Sequence, residues 1–257
     1  MEVAMKKLLV ILFIILAGLL LFSCKSSTSP DNDVELDTLL NKDVIAVFTR
    51  SNYSEESYAL ITIKQDAPSE VNVLVKGVEG TFDYMYHSEE NGTVFYRFLV
   101  ETLNFGEIFS YVINIDREQF SGTIKHPDKH STTFPKYDME KDYSFKWSLA
   151  SNPQYQAIHY WISGYTDGHH HGFDGDIDLK SSARKHTLKK SMWSDIEVVT
   201  TAEVFLFAYN TKTHGDQCTV AAYSSADNFD VDKAEWKTDN GKLPKGLELF
   251  MNMLEKY

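Results

Sequence analysis

The sequence predicts an all-β protein with two consecutive β-sandwiches and a short helix at its C-terminal end. From residue 43 onward, short runs of β-branched and aromatic residues recur at a spacing of about 8–12 residues. Within runs such as Leu60-Ile61-Thr62-Ile63-Lys64, apolar and polar residues alternate as in a half-buried strand. All 6 prolines fall between the runs or towards the chain ends, where a missing backbone donor interrupts no strand ladder.

Residues 1–24 have the composition of an export signal. Lys6 and Lys7 precede an apolar run over 8–22, and small Ser23 follows it. The run is slightly short for a membrane span, which takes about 20 apolar residues. A permanent anchor helix is the alternative interpretation.

The end of this segment, Leu21-Phe22-Ser23-Cys24, resembles the lipobox of bacterial lipoproteins. The resemblance implies that the Cys24 thiol carries diacylglycerol, that cleavage occurs before Cys24, and that the new amino group takes a further acyl chain such as palmitate. Several acyl chains give stable attachment to a bilayer without spanning it. Because Lys25, and not Asp, follows Cys24, we expect the outer membrane of a Gram-negative bacterium.

Residues 25–42 are rich in Ser, Thr, Asn and Asp and predict a flexible tether, which reaches about 60 Å when fully extended. The first sandwich is predicted over 43–127. Its strands are expected at 44–50, 58–64, 71–76, 81–87, 93–100, 109–116 and 120–125.

A polar segment over 128–142 predicts a linker, and the second sandwich follows over 143–230. The clearest strands of this second series are expected at 143–149, 155–164, 186–192, 203–210 and 218–223. About 85 residues per series suits an immunoglobulin-like sandwich. The second series resembles a fibronectin type III domain. Phe145-Lys146-Trp147 lies where that family has the core Trp of its second strand.

Residues 231–257 predict an acidic and then amphipathic tail. Leu243, Leu247, Phe250, Met251 and Leu254 recur at offsets of about 3 and 4, as on one face of a helix. We expect this helix to pack on the second sandwich, with a further strand or disorder as alternatives.

Charge, cysteine content and the absence of catalytic motifs limit the functions that the sequence supports. The formal charge of −12 argues against nucleic-acid binding, which needs a basic surface. Once Cys24 is lipidated, Cys218 has no disulfide partner within the chain and is expected to be a small buried strand residue. No sequence motif for a catalytic nucleophile, a phosphate-binding loop or a dinucleotide is present, so no catalytic residue is predicted.

The segment from Thr166 to Asp178 concentrates possible metal ligands. Neutral imidazoles suit transition metals, and alternating carboxylates suit calcium. The candidate ligands are His169, His170, His171, Asp174, Asp176 and Asp178. Neighbouring residues seldom all point at one ion, so a solvated glycine-rich loop between strands is the competing interpretation. No other cofactor is predicted.

Aromatic side chains are the other candidate for a binding site, as a stacking platform for sugars. Most lie at predicted strand positions, where aromatic residues normally fill a core. The candidates are Tyr84, Tyr86, Tyr96, Tyr111, Tyr155, Tyr160, Trp161, Tyr165 and Trp193.

Together these features favour a non-catalytic, lipid-anchored envelope protein that presents a binding or spacer surface to a protein or a glycan. Two alternatives remain open. One is a carbohydrate-active hydrolase that uses carboxylates in a cleft between the sandwiches. The other is an accessory subunit of an outer-membrane assembly.

Overall fold

Fifteen strands and one short 3-10 helix make up the described part of the chain. The computed structural model describes residues 43–50, 55–64, 68–88 and 93–228, with only the backbone of 86–88. The predicted signal peptide, tether and C-terminal helix lie outside these residues. The first eight strands are β1 Val44–Arg50, β2 Ser57–Ile63, β3 Val71–Val75, β4 Val78–Glu79, β5 Thr81–Ser88, β6 Thr93–Val100, β7 Ile108–Ile115 and β8 Glu118–Lys125. The others are β9 Ser131–Thr133, β10 Tyr143–Ser148, β11 Tyr155–Thr166, β12 His169–Leu179, β13 Lys185–Leu188, β14 Val198–His214 and β15 Cys218–Asp227, with the 3-10 helix at Lys190–Trp193.

One eight-stranded sheet runs through both halves of the sequence, in the order β12-β11-β14-β15-β1-β2-β6-β5. The two halves meet where β1 pairs with β15 in parallel, from Val44 opposite Cys218 to Thr49 opposite Tyr223. Every other neighbouring pair in this sheet is antiparallel. The sheet therefore crosses from the residues predicted as the first sandwich into those predicted as the second.

A four-stranded sheet, β4-β3-β7-β8, packs on the N-terminal half of the large sheet. Between the two layers Phe48 contacts Phe109 and Tyr111, with ring centroids 5.3 and 5.6 Å apart. Cys218 is a fully buried member of the same core, as expected from its sequence. Burial raises the pKa of its thiol to about 12, so the thiol stays protonated near neutral pH.

A three-stranded sheet, β13-β10-β9, packs on the C-terminal half. The core Trp predicted on β10, Trp147, is buried, and its indole nitrogen donates to Gln156 Oε1 over 2.9 Å. Each half is therefore a two-layered sandwich, and the predicted all-β sandwich class is confirmed.

Three local expectations differ from the structure. The His- and Asp-rich segment is a strand, β12, because it pairs along its whole length with β11. The strand expected at 186–192 ends at Leu188, and the 3-10 helix follows with Trp193 donating to the Met139 carbonyl over 3.0 Å. The segment predicted as a linker contains β9, which pairs with β10. Among the described residues, no helix has the length and apolarity needed to cross a membrane.

Candidate functional site

The hairpin of β11 and β12 forms one edge of the large sheet and carries the most distinctive polar and aromatic residues. Asp167 and Gly168 make its two-residue turn, with φ of 51° and 78°. Two consecutive positive φ values are typical of the turns that match the twist of paired strands, and Asp-Gly is a preferred sequence for them. The turn sets the register in which Tyr165 lies opposite His170 and His159 opposite Asp176.

Alternation along β12 divides the predicted metal ligands between two faces. Successive strand residues point to opposite sides, so His169 and His171 share one face and His170 lies on the other. We call the second side the hairpin face. It comprises His159, Trp161, Ser163, Tyr165, His170, Gly172, Asp174, Asp176 and Asp178.

The described residues contain no group of three His, Cys, Asp or Glu side chains that could hold a metal ion. Of the six predicted ligands, His170 and the three aspartates lie on one face and His169 and His171 on the other, and the three histidines are exposed next to the turn of the hairpin. Asp176 lies instead against His159, a residue that the sequence did not single out. Metal binding by this segment stays a prediction.

His159 and Asp176 form a buried hydrogen-bonded pair of an imidazole and a carboxylate. The imidazole Nδ1 donates to Asp176 Oδ1 over 2.7 Å, and the two side chains are 5% and 7% exposed. This bond fixes the ring orientation and directs Nε2 away from the carboxylate. Nε2 is buried and has no hydrogen-bond partner. An imidazole whose Nδ1 donates in this way carries its lone pair on Nε2, where it can accept a hydrogen bond from a ligand.

Carboxylates next to this pair influence one another. Desolvation, and then the charge of Asp176, raise the pKa of Asp178. On the other face of β11, desolvation and then Asp174 and Asp176 raise the pKa of Tyr160. The hairpin therefore concentrates negative charge along β12.

Two aromatic side chains stand exposed on the hairpin face. Trp161 is 41% exposed and lies opposite Asp174, and Tyr165 is 47% exposed and lies opposite His170. The rings of Tyr165 and His170 meet edge to face at 5.6 Å. Tyr165 lies four residues along the strand from Trp161, a distance of about 14 Å.

The residue pair between these two aromatic residues has small side chains. It consists of Ser163 on β11 and Gly172 opposite it on β12. A Cβ placed on Gly172 would lie 3.6 Å from the Ser163 Cβ, which is ordinary van der Waals contact. The hairpin face therefore has two protruding aromatic side chains, Trp161 and Tyr165, with a shallow depression between them. The Asp174 carboxylate lies opposite Trp161.

The other aromatic candidates from the sequence differ from Trp161 and Tyr165 in their burial. Tyr96, Tyr111 and Trp193 are buried in the cores. Tyr84, Tyr155 and Tyr160 are half-buried, and the side chain of Tyr86 lies outside the described atoms. Only Trp161 and Tyr165, among the described members of that set, are exposed, and they share one face of one strand. Their i and i+4 spacing, with Trp161 inside the strand predicted at 155–164 and Tyr165 directly after it, was the sequence feature that could have identified them.

A cleft of about 730 Å³ lies at the end of the N-terminal sandwich and is lined by Asp43, Glu70, Asp116, Arg117 and Glu118 among others. Its Asp116 Oδ1 accepts bonds from the Ser69 hydroxyl and from the backbone N–H groups of Ser69 and Glu70. These bonds, the Ser69 hydroxyl foremost, hold the pKa of Asp116 below its usual range. Asp116 also makes the β7–β8 turn with φ of 50°. This carboxylate stabilises the turn and is a poor general acid.

No protein-family model and no curated protein match the sequence. Among solved structures, the chain is similar to the FN1–FN3 domains of chicken CNTN1, at 10% identity and a TM-score of 0.24. That match covers 72% of this chain and 62% of the other, so this chain spans less than two thirds of that structure. Tandem Ig domains of titin match at 13% identity and a TM-score of 0.20, over 71% of this chain and 91% of theirs.

Proposed function

We propose that this chain is a lipid-anchored protein of the bacterial cell envelope that binds a glycan, without catalysis, on the hairpin face. The observation that carries the proposal is the exposed pair Trp161 and Tyr165 on one strand of a sheet edge. Sandwich-like modules of this kind fit a binding or spacer role.

The chemistry of the hairpin face fits a carbohydrate better than an apolar ligand. The C–H faces of sugar rings stack on aromatic rings, which offer large rigid surfaces with little entropy to lose. Carboxylates such as Asp174 accept hydrogen bonds from sugar hydroxyls, because each oxygen offers two acceptor positions. A spacing of about 14 Å between the two aromatic residues suits a chain of sugars better than a single ring.

A glycan array tests this proposal directly. The mature chain without its lipidated Cys24, residues 25–257, is labelled and screened against oligosaccharides of bacterial and host surfaces. We expect binding to at least one class of oligosaccharide and little binding to monosaccharides. Capture of a protein partner with no binding to any glycan would contradict the glycan proposal and would favour the accessory-subunit alternative.

The anchor rests on the lipobox resemblance alone, because Cys24 lies outside the described residues. Replacing Cys24 with Ala is expected to abolish incorporation of radiolabelled palmitate and to block cleavage of the signal segment, since the thiol is the acylated group. A matched Cys218→Ala variant is expected to keep full labelling, because that thiol is buried. Labelling that survives in Cys24→Ala would refute the anchor.

A further inference from the structure

The large sheet buries apolar side chains on both of its faces. One face supplies the two cores that the smaller sheets cover. By strand alternation, a third cluster lies on the opposite face, which we call the outer face. Its members are Ile45, Val47, Leu60, Ala157, Phe205, Phe207, Tyr209, Ala221 and Tyr223, with Phe95 and Tyr155 packed against them.

These residues are buried as deeply as the two sandwich cores. Phe207 and Tyr223 are 0% exposed and Tyr209 is 1% exposed. Yet every residue of the cluster belongs to the eight-stranded sheet itself, and neither smaller sheet contributes a side chain to it. A sheet face cannot remove its own central side chains from water, and every member of this cluster is a residue of the sheet, so its burial calls for a further layer.

The gaps within the described range are too short to supply that layer. They contain only residues 51–54, 65–67 and 89–92. The cluster spans β11 to β6, six adjacent strands and about 24 Å at the usual strand separation. Of the remaining sequence, residues 1–42 and residues 229–257 are long enough to supply it.

The C-terminal segment has the sequence that such a layer needs. Residues 243–254 carry five large apolar side chains on one helical face, and Lys245, Glu248 and Asn252 lie on the opposite side, flanked by Leu249 and Met253. A helix of this length is about 18 Å long, enough to cross about four strands. Residues 25–42 are largely polar, residues 1–23 are expected to be cleaved off at the membrane, and Cys24 is expected to be held there by its acyl chains.

The chain also reaches the outer face easily. Its described part ends at Asn228, directly after β15, and the Asn228 amide donates to the Ala202 carbonyl over 2.9 Å. Fourteen residues, 229–242, then precede the apolar stripe, and they span up to about 45 Å when extended. No part of the outer face is beyond that reach.

We propose that residues 243–254 dock through Leu247, Phe250 and Leu254 on the outer face, as a third layer across β14, β15 and β1. The sequence alone predicted packing on the second sandwich only. This placement differs because the cluster draws on strands from both halves and lies on the side away from the smaller sheets. The tail then bridges the two halves at the parallel β1–β15 junction.

Photo-crosslinking within the mature chain tests the docking. Benzoylphenylalanine replaces Phe250 in one variant and Asn252, on the polar side of the predicted helix, in the matched control. Peptides are then mapped by mass spectrometry. We expect the probe at 250 to crosslink within one molecule to peptides of β14, β15 or β1, with a several-fold lower yield from position 252.

Crosslinks at other surfaces, equal yields from both positions, or a yield that rises with protein concentration and joins two chains would overturn the proposal. A second measurement uses Phe250→Asp against the control Asn252→Asp. We expect only Phe250→Asp to speed amide exchange in β14 and to bind more of a hydrophobic dye. If Phe250→Asp fails to fold, the crosslinking result decides alone.

Discussion

Acidification from pH 7 to about pH 4.5 is expected to destabilise the fold by about 5 kcal/mol, because His126 and His130 are buried in their neutral forms. Burial, above all, lowers the pKa of His126 to about 4 and that of His130 to about 3. The His126 Nδ1–H donates to the Pro127 carbonyl over 2.9 Å, which opposes part of this shift. In both residues Nε2 is buried with no partner, so a proton there would have no acceptor.

The direction follows from proton binding in the two states. Below about pH 6.5 the unfolded chain protonates both histidines while the folded chain does not. Protons therefore favour unfolding, and the stability present above pH 6.5 is lost progressively as the pH falls towards the folded pKa values. Each histidine accounts for about 2–3 kcal/mol at pH 4.5, a large share of a typical total of 5–15 kcal/mol.

Urea melts at a series of pH values measure this effect. His130→Leu is expected to reduce proton uptake on unfolding near pH 5 by about one proton, since the titrating group is gone. His171→Asn is the control, because that imidazole is exposed. An unchanged pH dependence in His130→Leu would show that His130 does not titrate as the buried geometry requires.

Replacing Gly164 with Ala is expected to cost about 2–3 kcal/mol of folding stability. The register between β11 and β14 shifts between Ser163 and Gly164. At this irregularity a Cβ on Gly164 would overlap the Val198 carbonyl oxygen and lie 2.7 Å from Ile196 Cγ2. A backbone carbonyl cannot move aside as a flexible side-chain end can, so the strands must separate.

Gly172→Ala is the matched control on the partner strand of the same hairpin. Its Cβ would meet only ordinary contacts, the nearest at 3.6 Å, so we expect a change within about 0.5 kcal/mol. Thermal or chemical denaturation of the two variants gives the comparison. Equal stabilities would mean that β11 and β14 do not approach as closely at Gly164 as this geometry requires.

Local pattern predicted most of the strands. The alternation of Leu60-Ile61-Thr62-Ile63-Lys64 lies in β2, and Val71-Asn72-Val73-Leu74-Val75 is β3. Trp147 and Cys218 were predicted to be core residues from the apolar residues near them in the sequence, and both are buried. These features follow from the sequence because each depends on residues within a few positions of one another.

Long-range pairing could not be predicted in this way. The parallel contact of β1 with β15 joins residues about 170 positions apart, such as Val44 and Cys218, and no local pattern encodes it. The strand β12 was missed for a different reason. Its glycines, histidines and aspartates have low strand propensity, and it forms because the Asp167-Gly168 turn returns the chain along β11.

The candidate site shows the same limit. The sequence identified the His- and Asp-rich segment and included Trp161 and Tyr165 among nine aromatic residues. It did not pair Asp176 with His159 or place Ser163 opposite Gly172, since both depend on the register of the hairpin. The residue types alone indicated which side chains could bind a ligand. They did not show which of these side chains lie on the same face of the hairpin.

Glycan binding by Trp161 variants tests the central claim most directly. A glycan identified on the array is titrated by calorimetry into the mature chain, into Trp161→Ala and into Phe173→Ala. Phe173 is the matched control, because it is 36% exposed on the same hairpin but on the opposite face. We expect Trp161→Ala to weaken binding at least about tenfold, as for loss of one stacking aromatic residue, while Phe173→Ala retains the original affinity. Equal affinities for all three proteins, or a loss confined to Phe173→Ala, would contradict binding on the hairpin face.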